Sequence, residues 1–199
     1  MRDNASMASL SLHLTGEKGP DKLLSTSPLA LLLGMVLDQQ VPMEWAFRGP
    51  YELSQRIGGT LTAEGIASMD PETLATIFSS KPALHRYPGS MAKRTQEVSK
   101  VIVDTYGGDV EEIWKGAENG SDLLRRMKAL PGFGEMKAKI FIALLGKQLG
   151  ITTPGWEKAC APYGEKGSFR SVADIVDLDS LEKVREFKAA AKKAAKASR

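Results

Sequence analysis

From Ser25 to Gln40 the chain reads STSPLALLLGMVLDQQ, and the ten residues from Pro28 to Leu37 contain nothing polar. Ser27 is placed to cap a helix and Pro28 to open it, because a first-turn proline gives up no helical hydrogen bond. The run is too short for a bilayer, which takes about 20 apolar residues. A helix that is apolar all round must instead be covered by protein on every side. The remaining segments therefore have to wrap a central, buried helix.

Those segments read as helices too. PMEWAFRGPYELSQRIGG opens at Pro42, is expected to break at Gly49–Pro50 and stops at Gly58–Gly59. TAEGIASM and DPETLATIFSS start on the cap residues Thr62 and Asp70. In SMAKRTQEVSKVIVDTYGG, Met91, Val98, Val101, Ile102 and Tyr106 mark one apolar face. DVEEIWKGA and GSDLLRRMKAL predict two short helices, the second capped near Ser121–Asp122, and EMKAKIFIALLGKQLG predicts a longer one. SVADIVDL and DSLEKVREFKAAAKKAAKASR close the chain, with Asp179 or Ser180 as the last cap. LSLHLTG, from Leu10 to Gly16, alternates like a short strand but has no partner. With only 7% aromatic residues and no convincing strand pair, the expected class is all-α.

A single cysteine, Cys160, excludes an internal disulfide framework and any four-thiolate metal site. Together with the missing hydrophobic core of a signal peptide, this gives a cytoplasmic expectation, nucleoid-associated in a bacterium, with no membrane partner. The net charge is only +3, but Leu181 to Arg199 holds seven basic residues against two acidic ones. That tail reads either as a solvated Ala/Lys helix or as a phosphate-seeking one.

The stretch MKALPGFGEMKAKIFIALLGKQ breaks two helical runs at Pro131, Gly132 and Gly134. Proline fixes φ and removes a donor, while the glycines permit positive φ and close approach. Such a turn can be a plain helix-to-helix joint. It can also leave main-chain N–H groups bare at a helix start, where the dipole favours an anion. Phe133 would pack back between the helices, with Lys137 and Lys139 just beyond to meet phosphates.

This hairpin resembles the Leu-Pro-Gly-x-Gly turn of the helix-hairpin-helix DNA glycosylase superfamily. GMVLDQQVP resembles the family's early helix with its duplex-wedging glutamine segment, and YPGSMAKRTQEVSKVI its helix after a Gly-containing turn. The resemblance runs in order from about Pro28 to Tyr163. It implies a six-helix barrel over 28–149, with a smaller helical lobe from 1–27 and 150–199. It further implies a double-stranded DNA partner, nucleotide flipping, and no cofactor beyond a monovalent cation at the hairpin. Gln40 falls at the wedge position with Gln39 beside it. Trp45, Tyr51, Tyr87 and Trp156 are candidates for stacking on a flipped base.

Two positions depart from the family. Its catalytic aspartate falls on Pro154, which can neither stabilise positive charge nor activate water. Glu157 is the nearest carboxylate, about one turn into the next helix. The lyase branch's Schiff-base lysine falls on Met136. Lys137 is one residue later, about 100° round the helix, which predicts that it faces phosphate rather than substrate. A monofunctional DNA N-glycosylase is the expected activity, with a non-catalytic module for damaged DNA as the alternative. Asp38, beside the glutamines, is the other candidate acid, with a helix-end surface acid as the plain reading. Glu44 lies a little further on. His85 and Arg86 offer a proton carrier and a phosphate clamp, although a lone loop histidine is usually just exposed.

Overall fold

The computed structural model describes residues 11–197, and they are helical with no strand among them. In chain order the helices are α1 (Lys18–Thr26), α2 (Pro28–Leu37), α3 (Met43–Ile57), α4 (Ala63–Ser68), α5 (Pro71–Ser79) and α6 (Pro88–Tyr106). They continue with α7 (Glu112–Lys115), α8 (Gly120–Lys128), α9 (Glu135–Leu149) and α10 (Trp156–Ala159). A 3-10 turn at Val172–Asp174 then leads into α11 (Leu178–Ala197).

α2 is buried from Leu29 to Leu37, as an all-apolar helix must be. Ser27 Oγ accepts from the Ala30 N–H at 3.2 Å, and Pro28 occupies the first turn. Each leucine buried there contributes about 1.5–3 kcal/mol of transfer free energy before chain entropy is counted. Close approach to α3 depends on Gly34: a Cβ there would lie 2.6 Å from Phe47 Cδ1. Phe47 is itself fully buried, so the α2–α3 contact has no room to give.

Several local expectations change. α3 continues through Gly49–Pro50, where both residues are buried, and burial there offsets one missing ladder bond. Gly49 also lies under Leu37, where a Cβ would come within 2.5 Å of Leu37 Cδ1. Asn119, not Ser121 or Asp122, caps α8, its side chain accepting from the Asp122 N–H at 3.0 Å. At the last helix the Ser180 N–H donates to Asp177 Oδ1 at 2.8 Å, so the acid before Leu178 does the capping. The alternating stretch before α1 is not a strand. Leu12 and Leu14 plug into the core while the Leu12 N–H donates to Ser25 Oγ at 2.9 Å, and Thr15 is tied to Asp21. Leu10 lies outside the described residues.

Candidate active site and DNA interface

α8 and α9 meet at the hairpin. Leu130 and Phe133 are buried, and Phe133 meets Phe141 edge-on with centroids 6.1 Å apart, which sets the angle between the two helices. Gly132 has φ +82°, a conformation that L side chains rarely adopt, and it leaves the Arg94 side chain of α6 room to lie across the turn. The first ladder bond of α9 runs from the Ala138 N–H to Gly134 O at 3.0 Å. The N–H groups of Gly134, Glu135 and Met136 precede it at an exposed helix start. Lys139 pairs with Glu135 at 2.9 Å, and Lys128 reaches the same carboxylate at 3.2 Å. This face offers main-chain donors and cations to an anionic backbone.

Lys137 departs from its expected direction. Met136 is 65% exposed, whereas Lys137 turns inward and its ammonium donates to Val36 O at 3.1 Å. It thereby caps the C-terminus of α2, where carbonyls lack helical partners and the dipole favours a cation. The helix start sets the direction: the inward position of this turn belongs to the third residue after Gly134. Burial pushes the Lys137 ammonium down to about 8; Asp38 nearby acts to raise it and Arg94 to lower it further.

Past α2 the backbone bends sharply. Asp38 has φ −72° and ψ 74°, and the Gln39 N–H reaches back to Leu37 O at 2.7 Å, an inverse γ-turn. Gln40 follows at φ 57°, the one positive-φ residue other than glycine among those described. The two glutamines diverge in consequence. Gln39 turns inward, its Nε2 donating to Val36 O at 3.2 Å and meeting Met91 Sδ of α6 at 3.0 Å. Gln40 is exposed. Burial raises the pKa of the Asp38 carboxyl; Lys188 and Lys137 oppose that shift and Glu44 adds to it.

His85 is buried rather than exposed, and both its ring nitrogens are engaged. Nδ1 accepts from the Tyr87 N–H at 3.0 Å, which leaves Nε2 to donate to Gln39 O at 3.0 Å. Burial lowers its pKa, with the Gln39 bond opposing, so the neutral ring is favoured. As a proton carrier it lacks a free nitrogen; as a brace it holds the 38–40 turn against the start of α6. Trp45 and Tyr87 flank it at 6.5 and 6.1 Å between centroids and are 39% and 42% exposed. Arg86 is exposed, its guanidinium 5.5 Å from the Tyr87 ring centre.

Three further candidates lie elsewhere. Tyr51 packs on α1, its ring 3.1 Å from where a Gly19 Cβ would stand. Trp156 lies against Gly146 on α9, nine residues after Lys137, which is about two and a half turns and so the opposite helix face. With Glu157 it lines a separate cavity of about 410 Å³ that also includes Phe169 and Asp174. Pro154 is exposed, and its carbonyl accepts from the Gly120 N–H at 2.8 Å.

Sequence reasoning missed Arg94, and it missed that α11 returns to this region. Arg185 of α11 pairs with Glu44, Nε to Oε1 at 2.8 Å. No local signal marks either contact, since each joins helices far apart in the chain.

The geometry thus brings a half-buried acid, a half-buried lysine, a strained glutamine turn and a donor-rich hairpin to one junction. A family model described as HhH-GPD superfamily base excision DNA repair protein matches residues 33–196. The chain matches no curated protein. The matched span takes in α2's last turns, the hairpin and α11, and on it this all-α chain belongs to the HhH-GPD superfamily, a family of DNA-binding base excision repair proteins.

Proposed function

We propose that this protein is a DNA N-glycosylase that flips a modified nucleotide out of duplex DNA and hydrolyses its bond to the sugar. The observation that carries the reading is Asp38, a half-buried carboxylate beside Gln39, Gln40 and Lys137. A base inside a duplex is out of reach, so the nucleotide must leave the stack and something must fill the gap. Exposed Gln40, on its left-handed turn, is the wedge. Trp45 and Tyr87 supply stacking surface, and the hairpin holds the backbone. Asp38 takes the part of the acid absent at Pro154, countering positive charge on the sugar or activating water. Glu157, in the separate cavity, is set aside. Bases that are already cationic leave most easily and ask least of such an acid, which favours alkylated bases as substrates.

The test incubates excess protein with duplexes bearing different lesions and cleaves abasic sites with alkali. Excision abolished by Asp38→Asn and spared by Glu157→Gln is expected. If no lesion is excised although the duplexes are bound, the protein is instead a reader of damaged DNA.

A second reading, lyase activity, is favoured by Lys137 alone. An amine with a pKa of about 8 is neutral in about a fifth of molecules near pH 7.4, far more than an ordinary lysine, and that fraction is nucleophilic. Attack on C1′ would displace the base, and opening of the C1′–O4′ bond, with the amine's proton passing to O4′, would give an imine that borohydride would trap as a covalent protein–DNA adduct. An adduct abolished in Lys137→Met would establish it; excision without an adduct would leave the hydrolytic mechanism.

A further inference from the structure

α11 is held in two different ways along its length. Its first turns are anchored: Ser180, Leu181 and Val184 are buried, and Ser180 and Asp177 cap one another. From Arg185 to Ala191 every side chain is exposed. The helix extends to Ala197, and the 13 residues after Val184 project it about 20 Å from that anchor. A helix this poorly covered gains little from burial, so its sequence is free to serve something else.

What that sequence carries is positive charge in register. Arg185 and Lys188 are three residues apart, and in the sequence Lys192 and Lys196 follow at steps of four. The first two of these meet the acids of the junction. Arg185 pairs with Glu44 through Nε at 2.8 Å, and Lys188 is close enough to act on the charge of Asp38. Neighbouring cations are otherwise occupied: Lys183 pairs with Asp179, and Arg170 pairs with Glu165 and lies 5.9 Å from the Phe187 ring.

We infer that α11 is a second DNA-binding arm, which grips the phosphodiester backbone opposite the hairpin and is held over the junction in the free protein by the Arg185–Glu44 pair. Glu44 occupies the guanidinium until a phosphate replaces it. Arg is suited to that exchange, because its planar fork pairs equally with carboxylate and phosphate. The lysines beyond Arg185 then extend the grip along a strand carrying about one charge per 3.4 Å. The inference rests on DNA entering this junction, but not on any base being excised.

The experiment is therefore binding of the full chain to undamaged duplex, followed by fluorescence anisotropy over a salt series. Neutralising Lys188, Lys192 and Lys196 together as glutamines is expected to flatten the slope of log K against log salt by about 2 to 3, at about 0.9 for each phosphate no longer neutralised. Glu44→Gln is expected to tighten binding several-fold and to steepen the slope by up to about 1, since Arg185 is released to phosphate. An unchanged slope in the triple variant overturns the arm. Weaker or unchanged binding in Glu44→Gln overturns the latch. Circular dichroism of each variant checks that α11 remains helical. Because the readout is binding to intact DNA, a protein that excises nothing can still pass, and an active glycosylase can still fail.

Discussion

The ammonium of Lys137 sits 3.1 Å from the carbonyl oxygen of Val36, joining the first turn of α9 to the last turn of α2 across 101 residues of sequence. One side chain thereby ties the hairpin to the turn that carries Asp38, Gln39 and Gln40. It also leaves an amine where burial makes the charged form costly.

The titration of Lys137 should report this environment. The folded protein sheds this proton near pH 8, whereas an ordinary lysine holds it to 10.5. Labelling by an amine-selective reagent, read by peptide mass spectrometry, should rise through pH 8 at Lys137 and only well above it at exposed lysines. Asp38→Asn removes a charge that holds the pKa up, so the midpoint should fall; Arg94→Met removes one that pushes it down, so the midpoint should rise. Between about pH 8 and 10.5 the unfolded chain binds the extra proton, so this residue makes stability climb with pH across that window. In Lys137→Met that climb should vanish.

His85 should matter for acid stability. Its folded pKa lies below the 6.5 of a free ring, so below pH 6.5 the unfolded state takes up a proton that the folded one resists. The resulting stability is present above that pH and is lost on acidification. His85→Ala leaves Gln39 O and the Tyr87 N–H unpaired, at about 1–3 kcal/mol each if they stay dry. Urea unfolding at pH 7 and pH 5 should show a large loss at the first pH and a smaller one at the second. Equal losses at both would mean the ring titrates normally.

The hairpin offers a cleaner substitution. Gly132→Ala forces a side chain into φ +82° and toward Arg94, and the backbone strain alone costs about 1–2 kcal/mol. Thermal melting should fall accordingly, and affinity for undamaged duplex should fall with it. A variant that melts lower yet binds as well as the parent would show that the hairpin is only a joint.

At Gln40 stability and function should separate. Its φ of 57° is strained for a side chain, so Gln40→Gly should leave the fold equal or up to about 1 kcal/mol more stable. The same change removes the proposed wedge, and flipping, followed by a fluorescent base analogue opposite an abasic or mismatched site, should drop sharply. Undiminished flipping in Gln40→Gly would assign the wedge to another residue.

How far the sequence reached depended on the range of the physics involved. α2 was legible because an apolar run has one solution in water, and the caps at Ser27, Thr62 and Asp70 were legible because capping is local. Pro50 misled because its burial in the fold, which a local reading cannot see, accompanies the continuation of α3 through it. The inward turn of Lys137 was hidden for a similar reason. Counting 100° steps from a family position assumes where α9 begins, and only the folded hairpin sets that. His85 carried no signal of burial at all, since its partners are a loop carbonyl and a nearby main-chain N–H.

Pro154 is a fastening point between distant segments. Its carbonyl fastens to the first N–H of α8, and Gly120 there is packed so tightly on the backbone of Gly155 and Trp156 that a Cβ would come within 2.8 Å of both. The loop before α10 is thus a clasp on the first turn of α8. An aspartate at 154 would put a carboxylate on the outer surface and loosen a proline-stiffened loop. A single substitution there would disturb the junction of α8 with the loop before α10 before it added any chemistry.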